Sequence, residues 1–81
     1  MISEKIQKAL NNQIQAEMFS SYLYLSMSAC FRNANMDGMA HWMSVQSREE
    51  YGHAMKIFGY IIERGGKVEL GAIEKPPCVS T

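Results

Sequence analysis

The sequence predicts an all-α protein, a long antiparallel helix hairpin that forms half of a four-helix bundle and is completed by association. No glycine or proline interrupts residues 4–31. The apolar residues of two long segments recur in steps of three and four, the spacing of one helical face. A turn-forming run, Asn33–Gly38, separates the two segments. The 81 residues allow one small domain.

The first helix is predicted to span about residues 3–32. Ser3 is a suitable N-cap, and Glu4 places a negative charge in the first turn, where the helix dipole favours it. One apolar stripe runs the length of this helix and turns polar in its middle. Its members are Ile6, Leu10, Gln13, Glu17, Ser20, Tyr24, Met27 and Phe31.

The second helix is predicted over about residues 38–65, with Asp37 as a candidate cap and Gly65 as its C-terminal signal. Gly52 and Gly59 weaken its interior, and one interpretation is close approach by a neighbouring segment. This helix also carries an apolar stripe that turns polar in the middle. Its members are Met39, Met43, Gln46, Glu50, His53, Ile57, Tyr60 and Arg64. We expect the two helices to share these stripes as one seam.

Residues 66–81 differ from both helices. Residues 67–70 alternate as a strand would, and Pro76-Pro77 excludes a helix there. We interpret this segment as the first part of a long crossover, so that residues 1–81 form a single half-bundle.

The composition argues against several classes of partner. Eight Lys and Arg balance eight Asp and Glu, and no basic run occurs, so neither nucleic acid nor an anionic membrane is expected as a partner. No apolar run is long enough to span a membrane, and residues 1–5 do not resemble a signal peptide. We therefore expect a cytoplasmic protein, in which Cys30 and Cys78 stay as thiols.

The polar patches of the two stripes are predicted to meet. Glu17 and His53 each lie 18 residues from Asn35, so an antiparallel hairpin centred there brings them to one level. Glu50 lies three residues before His53 and projects from the same face. A Glu-x-x-His pair alone is common on helix surfaces. Two carboxylates and an imidazole together on core stripes instead favour a shared metal ion.

Two neighbouring residues have open roles. Glu49 lies one position beside the stripe, which is more typical of an exposed rim residue than of a metal ligand. Tyr24 lies two turns from Glu17 on the same stripe. It either packs in the interior or hydrogen-bonds a metal-bound carboxylate.

A second polypeptide segment is needed to complete the bundle, because each helix carries a broader apolar face than one partner can cover. Two copies related by a two-fold axis would bring four carboxylates and two imidazoles together. Four carboxylates balance the four positive charges of two divalent ions, and the donor set is that of di-metal helical bundles.

Several motifs resemble those of bacterial non-haem ferritins, and together they cover nearly the whole chain. The resemblance is to the first half of such a protein, helices A and B with the start of the long crossover, and it implies half of a ferritin-like four-helix bundle. The motifs are Ala9–Gln13, Ser20–Met27, Ala40–Met43, Glu49-Glu50-x-x-His53, Glu63–Val68 and Ala72–Pro76.

The resemblance implies a ferroxidase that oxidises Fe(II) with O2 or peroxide at a di-iron centre and stores the product in a 24-subunit shell. Glu17, Glu50 and His53 would be iron ligands, with Tyr24 beside the centre and Glu49 near a third iron. Tyr51 occupies the position at which bacterioferritins carry a haem-binding methionine, so no haem is expected. Zn or Mn would accept the same ligands.

The resemblance covers only the first half of such a protein, and the ligands that a ferritin carries on its later helices have no counterpart in residues 1–81. The chain is then one piece of a ferritin whose complementary C-terminal half is separate, a truncated product, or a half-ferritin that builds its site as a homodimer. The alternative function is that of a catalytically inactive hairpin that only dimerises.

Overall fold

The computed structural model describes residues 2–77, which form two long α-helices. Helix α1 spans Glu4–Asn33 and helix α2 spans Asp37–Glu63. They run antiparallel as a hairpin about 49 Å long, and residues 64–77 form neither helix nor strand. The predicted all-α hairpin is confirmed. Neither helix is long and apolar enough to cross a membrane.

The helix ends follow from local chemistry. The Ser3 hydroxyl accepts a hydrogen bond from the Ile6 amide at 3.2 Å, as an N-cap does. Both helices end with a residue in the left-handed region, Asn35 with φ of 61° after α1 and Gly65 with φ of 74° after α2. The expected cap role of Asp37 is wrong: α2 has no side-chain cap, and Asp37 lies in its first turn.

The seam between the helices consists mainly of small residues seven positions apart, and it differs from the predicted one. Of the sixteen residues on the two predicted stripes, only Met43 is buried. The stripes lie beside the seam and stay partly open to solvent. Alanine and serine contribute little to an apolar pattern, yet they allow two helix backbones to approach closely. The buried residues of this seam are Ile14 and Ser28 on α1 and Ala40, Ser47, Ala54 and Ile61 on α2.

Hydrogen bonds across this seam set its register. The Ser28 hydroxyl donates to the Ala40 carbonyl at 2.7 Å. Ser21 and Ser47, which we call the serine clamp, each donate from the hydroxyl to the other's backbone carbonyl, at 2.8 and 2.7 Å. These contacts centre the hairpin on Ala34, one residue from the centre that the sequence predicts.

The segment after α2 lies along α1 without forming a strand. Its backbone is bound by amide side chains of α1 that follow one another at four-residue intervals. The Asn11 amide donates to the Lys67 carbonyl at 3.0 Å and accepts from the Glu69 amide at 2.8 Å. The backbone of residues 67–70, whose sequence alternates as in a strand, therefore hydrogen-bonds to side chains of α1 and not to another strand. The three amide residues are Gln7, Asn11 and Gln15.

Two further expectations do not hold in the structure. Cys30 is half-buried and disulfide-bonded, so the expected thiol is wrong there, and Cys78 lies outside the described residues. At Gly52 and Gly59, the position that a Cβ atom would occupy has no atom of residues 2–77 within 4 Å, apart from the adjacent residues and the nearby backbone of the same helix. Close approach by another part of residues 2–77 therefore does not explain these two glycines.

The stripe side of the hairpin exposes apolar surface. Among the stripe residues, Ile6 is 51% exposed, Met39 42% and Tyr60 41%. Large exposed apolar side chains leave surface that another polypeptide can cover.

Candidate metal centre

Three side chains converge between the two helices. Glu17 comes from α1, and Glu50 and His53 come from α2; one ligand atom of each lies within 4.8 Å of the others. His53 Nδ1 lies 3.4 Å from Glu17 Oε2 and 3.6 Å from Glu50 Oε1. The convergence that the sequence predicts for these residues is present in the structure.

The serine clamp explains why these residues meet. Glu17 lies one turn before Ser21 on α1, and Glu50 lies one turn after Ser47 on α2. Because the helices are antiparallel, both glutamates lie on the same side of the clamp along the hairpin axis. The register places Glu17 level with the span between Glu50 and His53.

Glu17 is the most enclosed of the three side chains. Its side chain is 18% exposed, against 23% for Glu50 and 54% for His53. Its two oxygens differ: Oε1 accepts a hydrogen bond from Gln13 Nε2 at 3.0 Å, whereas Oε2 is shielded from solvent and has no hydrogen bond of normal geometry. Oε2 faces His53 Nδ1 in a longer, ionic contact.

The two carboxyl groups affect each other's protonation. The neighbouring Glu50 carboxyl group lowers the pKa of Glu17, and Gln13 and His53 lower it further against the opposing effect of burial. The neighbouring Glu17 carboxyl group raises the pKa of Glu50, and burial raises it further. The two carboxyl groups therefore lose their protons in separate steps, Glu17 at a lower pH than Glu50.

This arrangement fits a divalent cation. Glu17 Oε2 is shielded from solvent and has no hydrogen-bond donor within residues 2–77, and a bound cation would satisfy such an oxygen. Two carboxylates and an imidazole suit Fe(II), Mn(II) or Zn(II), which all accept oxygen and nitrogen donors.

The remaining predicted site residues lie outside this cluster. Glu49 is exposed and is not one of its three members. Tyr24 is half-buried, two turns along α1 from Glu17. Gln13 contacts the cluster directly, and the sequence did not identify it as a site residue. The signal available for it was its four-residue spacing from Glu17, at which two side chains meet on one helix face.

Comparison with known proteins gives the family. The ferritin family, described as the ferritin-like domain, matches residues 7–81. The chain belongs to the ferritin family. It is 54% identical over 77 residues to a bacterial non-heme ferritin of Bacteroides fragilis, covering 95% of this chain and 48% of that relative. A probable bacterial non-heme ferritin-like protein of Haemophilus influenzae is 42% identical over 76 residues, covering 94% of this chain and 46% of that one.

Solved ferritin structures have the same fold. An engineered closed form of the Archaeoglobus fulgidus ferritin is 52% identical, with a TM-score of 0.95 over 98% of this chain and 48% of that chain. The open-pore ferritin of the same archaeon gives a TM-score of 0.94 at 52% identity, again over 98% of this chain and 48% of that one. The resemblance to bacterial non-haem ferritins is confirmed. This ferritin-family chain spans about half the length of the curated relatives it matches.

Proposed function

We propose that this chain binds Fe(II) as a substrate at Glu17, Glu50 and His53 and contributes these residues to a ferroxidase site that serves iron storage. The observation that carries the proposal is the convergence of two carboxyl groups and an imidazole around an enclosed Glu17 oxygen that has no hydrogen-bond donor. Membership of the ferritin family supports iron as the metal.

Each residue has a defined part in binding. Glu17 offers Oε2, which the fold already shields from water and directs toward His53. Glu50 offers its carboxylate, which would bridge two bound ions. His53 offers Nδ1 in its neutral form. Binding should therefore release protons and strengthen as the pH rises.

The proposed reaction uses two Fe(II) ions, each of which loses one electron to the oxidant. Two Fe(II), one O2 and two protons give two Fe(III) and one hydrogen peroxide. The carboxylates favour the product side of this oxidation, because they stabilise the larger positive charge of Fe(III). Zn(II) should occupy the same residues without turnover, since it has no accessible redox change.

A second polypeptide segment is proposed to complete the site. One hairpin supplies three ligand groups, and His53 remains 54% exposed on the open side. The completing segment is either another copy of the chain or the part of a ferritin that this chain does not cover. In either case the active form is an oligomer or a complex. Roles for Tyr24 beside the centre and for Glu49 at a third iron remain predictions, as does a cytoplasmic location.

Anaerobic titration with Fe(II), followed by admission of O2, tests this function. We expect about one Fe(II) per chain to bind and ferric absorbance to rise faster than in buffer alone. His53→Ala and Glu50→Ala should abolish both signals. His41→Ala and Glu63→Ala are matched controls, since both residues are exposed on α2 outside the cluster. Equal oxidation by Glu50→Ala and Glu63→Ala would place the site elsewhere.

A structural hairpin without catalysis is the second candidate, and the exposed apolar residues of the stripe side favour it. Light scattering on the same samples separates the two functions. Stable particles of two or more chains that bind no Fe(II) would support the structural function alone. Particles that bind and oxidise Fe(II) would support the ferroxidase.

A further inference from the structure

Gln13 is the neutral side chain that contacts the metal-binding cluster. Its Nε2 atom donates to Glu17 Oε1 at 3.0 Å, from one turn earlier on the same helix. Glu17 Oε2, the other oxygen of that carboxylate, has no such donor and faces His53. One oxygen is therefore held by the protein, and the other is left available.

We propose that Gln13 is a positioning residue that holds Glu17 Oε1 so that Oε2 is presented to a metal ion beside Glu50 and His53. This inference rests on the proposed function. An amide suits the task because it donates a directed hydrogen bond without carrying a charge that would repel a cation. Outer groups of this kind orient metal ligands in many metalloproteins, and their loss typically weakens metal binding about 10- to 100-fold.

The second helix provides an internal comparison. Gln46 precedes Glu50 by four residues, the same spacing as Gln13 and Glu17. Within residues 2–77, the Gln13–Glu17 pair forms a hydrogen bond and the Gln46–Glu50 pair does not. Spacing alone therefore does not produce the bond. A Gln46 variant is therefore the matched control for a Gln13 variant, because it removes the same side chain four residues before a glutamate of the cluster.

Co(II) binding to the full chain, followed by visible absorption without any oxidation step, tests this role. Gln13→Met removes the donor while keeping the length of the side chain, and Gln13→Ala is a second variant with high helix propensity. We expect both to weaken Co(II) binding at least about tenfold and to change the cobalt absorption band. Thermal unfolding of the metal-free chain should stay close to that of the parent, because Gln13 is exposed and lies outside the core. Gln46→Met should retain affinity and band shape.

The outcomes separate the two proposals. If the parent chain does not bind Co(II), the proposed function fails, and the role of Gln13 fails with it. If the parent binds and the Gln13 variants bind equally well, only the role of Gln13 is overturned. Equal weakening by Gln13→Met and Gln46→Met would also overturn it, since the loss would then be general to the helix surface.

Discussion

Ser21 and Ser47 form a reciprocal contact across the hairpin, in which each hydroxyl donates to the backbone carbonyl of the other residue. Their two hydroxyl oxygens are 3.1 Å apart. A reciprocal pair of this kind is satisfied at one register only, because sliding either helix by one residue breaks both bonds. The clamp therefore specifies which residues of α1 and α2 face each other, including Glu17 and Glu50.

Removing one half of the clamp should destabilise the hairpin. We expect Ser47→Ala to lower the free energy of unfolding by about 1 kcal/mol, the usual net value of a hydrogen bond. Ser21→Ala should behave similarly, and the double variant should lose less than the sum, because the two hydroxyls share one network. Urea unfolding at fixed protein concentration measures all three.

Ser44→Ala is the matched control for the clamp, since Ser44 lies on the same helix and has no side-chain hydrogen bond within residues 2–77. It should be neutral or slightly stabilising, because alanine has the higher helix propensity. Additive losses at Ser21 and Ser47 would mean that the two bonds act independently.

Enlarging a seam residue should separate the helices at the metal cluster. Ala54 is fully buried and directly follows His53. We expect Ala54→Leu to cost about 1–3 kcal/mol of stability through overpacking. It should also weaken Co(II) binding, because it moves Glu50 and His53 away from Glu17. Ala16→Leu, at an exposed position of α1, should change stability by less than about 0.5 kcal/mol. An Ala54→Leu variant with parental Co(II) affinity would contradict a narrow seam as the basis of the site.

The sequence predicted the fold and the meeting of the cluster well, because both depend on strong local signals. Both long helices follow from apolar periodicity and the absence of proline, and α1 also lacks glycine. The position of Glu17 opposite Glu50 and His53 follows from counting residues from the turn. The position of the seam was wrong because Ala40, Ser47 and Ala54 have little weight in an apolar pattern. Their value lies in small volume, which matters only once two helices pack.

The hydrogen bond of Gln13 and the amide contacts of Asn11 were not predicted for a related reason. Both are polar side chains on a helix surface, where a solvated role is the usual one. Whether such a side chain finds a partner depends on where the chain returns in three dimensions. The disulfide bond of Cys30 likewise depends on tertiary proximity and on an oxidised state, neither of which is encoded in a local pattern.

Asn11 should control the attachment of the crossover segment. We expect Asn11→Ala to loosen the chain at Glu69, because it removes the donor to the Lys67 carbonyl and the acceptor of the Glu69 amide, while Gln7 still accepts from the Lys67 amide. A loss of about 1–2 kcal/mol corresponds to a factor of about 5–30 in the opening equilibrium. Hydrogen exchange at the Glu69 amide should accelerate by that factor.

Asn12→Ala is the matched control for Asn11→Ala, since Asn12 is exposed and forms no side-chain hydrogen bond within the described chain. Its Glu69 exchange rate should equal that of the parent. If both variants exchange alike, the crossover is held by contacts other than the amide of Asn11.

Without a metal ion, the adjacent carboxylates of Glu17 and Glu50 should lower the stability of the fold at neutral pH. Glu50→Gln tests this expectation. The raised pKa of Glu50 means that its carboxyl group adds stability while protonated, and that this contribution is lost as the pH rises through the raised value. The lowered pKa of Glu17 acts in the opposite direction: its contribution is present above the ordinary glutamate range and is lost as the pH falls through the lowered value. Above both values the two groups are charged side by side.

Glutamine at position 50 removes one of these charges and can donate a hydrogen bond to Glu17. Without metal, we therefore expect Glu50→Gln to unfold at a higher temperature than the parent at pH 7, and to lack the parent's loss of stability as the pH rises through the pKa of Glu50. Glu63→Gln, which changes the same charge at an exposed position on the same helix, should keep the parent's pH profile. With Co(II) present the order should reverse, because the parent gains stability from the bound ion and Glu50→Gln does not. A Glu50→Gln profile that falls with pH as the parent's does would show that the raised pKa of Glu50 does not cause the parent's pH dependence.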